Sequence, residues 1–126
     1  MKEIVIANLS MDFALRIVNL YKYLCNDKQE YVMSKQLLRC GTSIGANIAE
    51  SEHAQSTADF VSKLSIALKE ADETSYWLNL FLKVNYITKE QFNAIDSELQ
   101  EIIKILVTII KKSKENSLNS KFSILN

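Results

Sequence analysis

Glu50 and His53 stand at the spacing Glu-x-x-His. On a helix, residues three apart share a face, and carboxylate-bridged di-iron bundles carry this pair on each of two helices, with further glutamates. His53 is the only histidine and falls where its helix should already have ended, so a complete two-metal centre within one subunit is excluded. The letters Gly41-Thr42-Ser43-Ile44-Gly45 match the G-x-S-x-G nucleophile elbow. That motif needs a strand before the turn and a histidine elsewhere, and nothing here reads as a strand. No glycine-rich phosphate loop of the required spacing occurs, and a zinc site lacks its second histidine. Cys25 and Cys40 have no metal-ligand spacing and make no disulfide framework, which predicts two buried thiols. The chain therefore predicts no catalytic residue, no cofactor and no metal; it is read as a non-enzyme.

The segment Ser34 to Ser51 holds both glycines and sorts its side chains onto two faces. At about 100° per residue, Gln36, Arg39, Ser43, Asn47 and Glu50 form a polar stripe. Leu37, Gly41, Ile44, Gly45 and Ile48 form the opposite one, whose Gly41 and Gly45 suit close helix packing. The polar stripe permits three readings. It is a solvent face, a ligand-binding surface, or a partly buried network in which Arg39 meets Glu70 or Glu73 on the next helix and Asn47 bonds across the bundle. The network carries Arg39, Ser43, Asn47, Glu50, Glu70 and Glu73, and buried polar groups of that kind fix helix register.

The elements that must position these residues are helical. The chain has 126 residues, 48% of them hydrophobic and 24% charged, with two glycines and no proline. That is one globular domain with too few turn residues for a strand-rich fold. The longest apolar run, Ile105 to Ile110, is broken by Thr108 and is far short of the roughly 20 residues of a membrane span. The first residues, MKEIVIANLS, are too short in apolar character for a secretory signal, which predicts a cytoplasmic protein with no membrane partner.

Period and punctuation predict an N-terminal extension over 1–7 and an all-α four-helix bundle over 8–113. Its helices span about 8–26, 34–51, 57–83 and 89–113, followed by a mostly mobile tail over 114–126. In the first helix Phe13, Ile17, Leu20, Tyr21 and Leu24 recur at helical spacing. Ser34 is the expected N-cap of the second. The short link Glu52 to Gln55 sets helices 2 and 3 side by side and antiparallel. Helix 3 starts at Ser56 or Thr57, with core positions Phe60, Leu64, Ala67, Ala71, Thr74, Leu78 and Leu82. Thr88 and Gln91 form a capping box before helix 4, whose core face is Phe92, Ile95, Leu99, Ile103, Leu106 and Ile110. In the tail, Phe122, Ile124 and Leu125 are candidates for local docking.

Helices 3 and 4 carry more apolar surface than a monomeric bundle uses. Ile102, Ile105 and Ile109 widen the apolar arc of helix 4, and Tyr76, Trp77, Leu80 and Phe81 make helix 3 apolar almost all round. These seven residues are the expected interface of a homo-oligomer.

The run Gln36-Leu37-Leu38-Arg39, then Ser43-Ile44 and Asn47-Ile48-Ala49-Glu50, followed by Asp59-Phe60, Ile66 to Ala71, Glu73-Thr74 and Tyr76-Trp77-Leu78, resembles the 23S rRNA intervening-sequence protein family. The resemblance covers roughly residues 8 to 112. It implies an up-down-up-down antiparallel bundle assembled as a ring-shaped homopentamer. A relative, the accessory variability determinant of diversity-generating retroelements, is strongly basic and is associated with nucleic acid and a reverse transcriptase. Many members of the family carry proline after the Ser-Ile pair and glycine after the NIAE run, where this chain has Gly45 and Ser51.

This chain also departs in charge, with 15 basic and 15 acidic residues. A phosphate-binding footprint needs a basic excess, so nucleic acid is not the favoured partner. The charge is nevertheless uneven. Residues 50–73 hold six acids against Lys63 and Lys69, whereas residues 104–121 hold five lysines against Glu115. Two function classes follow: a homo-oligomeric scaffold or adaptor that engages itself and a protein partner, or a nucleic-acid-binding accessory using Lys111, Lys112, Lys114 and Lys121 repeated around a ring.

Overall fold

The computed structural model describes residues 2–125, without the side chains of Phe122, Ile124 and Leu125. The expected docking of those three therefore lies outside the described residues. Four helices follow in order: α1 (Lys2–Asn26), α2 (Met33–Ser51), α3 (Thr57–Lys83) and α4 (Lys89–Leu125). No strand occurs among the described residues. α2 packs on α1 and α3, and α4 packs on α3 and α1, so the four close a square; the diagonal pairs are not in packing contact among the described residues.

Most of the core follows a 3,4 alternation on every helix, with Cys40 and Ile110 buried beside it. It is Ile6, Ser10, Phe13, Ile17, Leu20 and Leu24 on α1, then Ser34, Leu37, Gly41, Ile44, Ile48 and Ser51 on α2. On α3 it is Leu64, Ala67, Ala71, Thr74, Leu78 and Phe81, and on α4 Phe92, Ile95, Leu99, Ile102, Leu106 and Ile109. A mean step of 3.5 keeps one seam facing its neighbours along a bundle, whereas a 3.6 step drifts off it by about 20° per heptad. That corrects several expectations. Phe81, Ile102 and Ile109 are buried inside the subunit at 0%, 0% and 4% exposure, and are core rather than interface. Phe60, Leu82 and Ile103, expected in the core, flank it half-buried.

Two helices outrun their expected bounds. α1 begins at Lys2, so the extension over 1–7 is helical from its second residue, with Glu3 in the first turn facing the positive end of the helix dipole. α4 continues to Leu125, so the expected mobile tail is helix. Neither segment contains proline or glycine, the residues that stop helices. α1 is also long and apolar enough, by length and composition, to cross a membrane. The polar residues of α1 are scattered through it, so no long uninterrupted apolar run marks it in the sequence. One face of the helix is nevertheless committed to the bundle core.

The helix starts show how sequence fixes the ends. Ser56 accepts the Asp59 amide at 3.0 Å and opens α3. Thr88 and Gln91 exchange bonds of 2.8 and 3.1 Å ahead of α4, as a capping box requires. α2 departs from expectation. Ser34 is buried inside the helix, and the Glu30 carboxylate does the capping, accepting the amides of Val32, Met33 and Ser34 at 3.2, 2.9 and 2.7 Å. Burial alone would push the Glu30 carboxyl up, but the amides of Met33, Ser34 and Val32 outweigh it and hold it below the ordinary glutamate range.

Candidate functional site

The polar stripe of α2 meets α3 at one ionic cluster. Arg39 Nη1 lies 3.1 Å from Glu70 Oε2, and Arg39 Nη2 donates to both Glu73 oxygens at 2.6 and 2.7 Å. Glu73 Oε2 also accepts the indole N–H of Trp77 at 3.1 Å. Residues 70, 73 and 77 are one helical turn apart in succession, which puts all three on the α2 side of α3. The Arg39 and Trp77 hydrogen bonds hold the Glu73 carboxyl below its usual range, and the Glu73 bond raises Arg39. The Arg39 side chain is 51% exposed, Glu73 36% and Glu70 15%. The cluster is therefore a half-exposed clasp rather than a buried triad.

Aromatic rings extend from it into the core. Tyr76 stands edge-on to Trp77 at 5.1 Å, Trp77 lies 6.4 Å from Phe81, and Phe81 lies 6.2 Å from Tyr86. The sequence placed Arg39, Glu70 and Glu73 together but not Trp77, which it assigned to the interface alone. Its i, i+4 spacing from Glu73 was the available signal.

The rest of the stripe stays on its own helix. Asn47 donates to the Ser43 carbonyl at 2.9 Å and to Ser43 Oγ at 3.1 Å, so it does not reach across the bundle. The reason is local: a short amide one turn on finds the i−4 carbonyl before any partner helix. Glu50 and His53 are both exposed. Cys40 is buried, and that burial raises its thiol, while Cys25 is only half-buried, 3.8 Å from Ser34 Oγ.

The two glycines differ. A Cβ on Gly41 would fall 2.8 and 2.9 Å from Ile17 Cγ2 and Cγ1, whereas one on Gly45 would fall 3.4 Å from the Ser10 carbonyl oxygen and hydroxyl. Close approach is obligatory at Gly41 and looser at Gly45.

Of the seven expected interface residues, four keep surface: Tyr76 at 61% exposure, with Trp77, Leu80 and Ile105 half-buried. A second apolar patch, which the sequence reading missed, lies on α1. Ile4, Met11 and Leu15 are 64%, 63% and 59% exposed, and Met11 borders a groove of about 520 Å³ walled by Ala14, Gly45, Ala46 and Ala49. The spacing of 4, 11 and 15 along a helix was the signal.

The four candidate lysines are all exposed. Lys114 and Lys121 flank an apolar groove with Val61 and Leu118, while Lys112 lines a different concavity with Lys2 and Glu3.

Comparison with known proteins finds similarity to a solved structure and to a family model. A crystal structure of a protein of unknown function from the S23 ribosomal protein family of Bacteroides thetaiotaomicron is 59% identical. The similarity covers 88% of this chain and 99% of that one, with a TM-score of 0.87. No curated protein matches. The model of the family described as 23S rRNA-intervening sequence protein matches residues 2–108. With that match over most of its length, the chain belongs to the 23S rRNA-intervening sequence protein family.

Proposed function

We propose that this protein is a non-enzymatic, homo-oligomeric scaffold: an up-down-up-down bundle that assembles head to tail into a ring, whose assembled surface holds a protein partner. The observation that carries the reading is the pair of exposed apolar patches on diagonal helices. Ile4, Met11 and Leu15 lie on α1, and Ile66 and Tyr76 on α3, beside half-buried Trp77 and Leu80. Exposed apolar clusters mark interaction surfaces. Two unlike patches on different sides of one subunit fit a heterologous contact, the kind that closes rings, rather than the self-complementary patch of a two-fold dimer. Five subunits is the number the family resemblance implies.

The antiparallel course has its own support. Gly41 faces Ile17 while Gly45, further on, faces Ser10, so α1 descends as α2 ascends. Arg39 pairs with Glu70 and Glu73, while Ile48 borders the same cavity as Phe60 and Leu64. Two thiols with no disulfide fit the reducing cytoplasm, where we place the protein.

The test is the mass of the assembly by light scattering, alongside the variants Leu15→Lys and Tyr76→Glu. The scaffold predicts an oligomer that each substitution dissociates with helicity retained. Binding to structured RNA that weakens with added salt, and is lost when Lys111, Lys112, Lys114 and Lys121 are neutralised, would replace it with the nucleic-acid accessory.

A further inference from the structure

The links that join α1 to α2 and α3 to α4 stand at one end of the bundle. Arg16 of α1 pairs with Glu98 of α4 at 2.6 Å, while Glu3 borders the same concavity as Ile109 and Asn116, so the two helices run in opposite directions. The link after α1 therefore lies beside the link before α4. Helices in contact lie about 8–10 Å apart, which puts both links on one small face.

Both links are ordered. Each turns through one left-handed residue, Gln29 at φ 52° and Asn85 at φ 64°. The Glu30 N–H donates to the Leu24 carbonyl and the Tyr86 N–H to the Phe81 carbonyl, each at 2.9 Å. On this fixed backbone three apolar side chains face water: Val32 at 76% exposure, Tyr31 at 55% and Val84 at 46%. Their neighbours along the chain carry cations. Lys28, Lys35, Lys83 and Lys89 are all exposed, and none forms an ion pair among the described residues. Lys28 Nζ lies 5.9 Å over the Tyr23 ring and Lys89 Nζ 5.4 Å over the Phe92 ring, which holds both ammonium groups at this end. Of the acids nearby, Glu30 is turned onto the amides of α2, and Asp27 and Glu90 are exposed.

Exposed valines and a tyrosine among unpaired lysines match a surface that is anionic at its boundary and apolar beneath. A tyrosine, with its apolar ring and polar tip, suits such a boundary, and lysines are drawn to anionic headgroups. A polyanion with no apolar layer, such as RNA or an acidic peptide, would engage the lysines and leave Val32 and Val84 in water.

We propose that this end of the bundle docks on an anionic lipid bilayer, with Tyr31, Val32 and Val84 entering the headgroup layer and Lys28, Lys35, Lys83 and Lys89 pairing with lipid phosphates. The expectation of no membrane partner concerned spanning segments and signals, and peripheral contact needs neither. The contact uses neither of the apolar patches on α1 and α3 assigned above to assembly.

Sedimentation of the full-length protein with vesicles tests the proposal, using equal parts phosphatidylglycerol and phosphatidylcholine against phosphatidylcholine alone. The protein sediments with the anionic vesicles and not with the neutral ones, and added salt releases it. Lys35→Gln and Lys89→Gln each weaken binding about fivefold. Val32→Ser weakens it about tenfold through lost apolar contact, and serine suits the start of α2, so the variant keeps its fold. Neutralising Lys111, Lys112, Lys114 and Lys121, toward the far end of α4, leaves binding within about twofold. Failure to bind the anionic vesicles, equal binding to both kinds, indifference to Val32→Ser, or loss on neutralising the far lysines would each overturn the proposal. So would binding of structured RNA or polyglutamate by this face with the vesicles left unbound.

Discussion

Gly41 of α2 lies directly against Ile17 of α1: a methyl group on the glycine would fall 2.8 Å from Ile17 Cγ2. Ile17 is fully buried, so it cannot swing into solvent to make room. Gly45, one turn on, faces Ser10 at an ordinary contact distance of 3.4 Å. The same substitution at the two sites therefore has opposite signs.

Gly41→Ala overpacks the core at a cost of about 1–3 kcal/mol, only partly offset by the roughly 0.5–1 kcal/mol that alanine gains over glycine in a helix. Gly45→Ala keeps the gain without the clash and is neutral or stabilising. Urea denaturation of the two variants reads the difference, and an equal loss at both sites would contradict the packing described.

The clasp on the α2–α3 face contributes modestly. A deeply buried network would lose several kcal/mol on removal of its arginine, because the acids would be stranded. With Arg39 about half exposed and Glu73 at 36%, solvent screens the interaction. A double-mutant cycle with Arg39→Ala and Glu73→Ala should give a coupling of about 0.5–1 kcal/mol. Arg39→Lys should keep only part of it, since an ammonium cannot reproduce the guanidinium fork. Coupling of several kcal/mol would mean that the pair is buried by something, such as a neighbouring subunit.

Glu30 gives stability an acid-side dependence. Its carboxyl is held below the ordinary value of about 4.3, so its contribution is fully present above that pH and is lost as pH falls through the lower, folded-state value. Glu73 acts in the same direction. Glu30→Gln should cost about 0.5–2 kcal/mol at neutral pH as a weakened cap, and its stability should fall less between neutral and acid pH than the wild type's. Parallel profiles of chemical denaturation against pH would show that the carboxylate does not cap α2.

The helices and their order were legible because apolar residues recur at helical spacing and the chain has no proline to confuse the boundaries. The side of each helix was legible only to within one residue. Choosing Leu82 over Phe81, and Ile103 over Ile102, follows an unstrained 3.6 repeat, whereas packing against two neighbours selects 3.5. Arg39 with Glu70 and Glu73 could be paired from charge and period alone. Glu30 could not, because a glutamate three residues before the helix resembles loop polarity until the backbone turns its amides onto it. The end of α4 was invisible for a different reason: residues 114–125 are rich in Ser and Asn, which composition assigns to a mobile tail.

The central claim, head-to-tail assembly through unlike apolar patches on α1 and α3, is tested most directly by mixing two variants. Leu15→Lys spoils the first patch and Tyr76→Glu the second, and each alone should be a folded monomer by light scattering. In an equimolar mixture, each retains the patch the other lacks. The account predicts that the two variants pair into a heterodimer that goes no further. A mixture that stays monomeric while the wild type assembles, or variants that each assemble like the wild type, would contradict it.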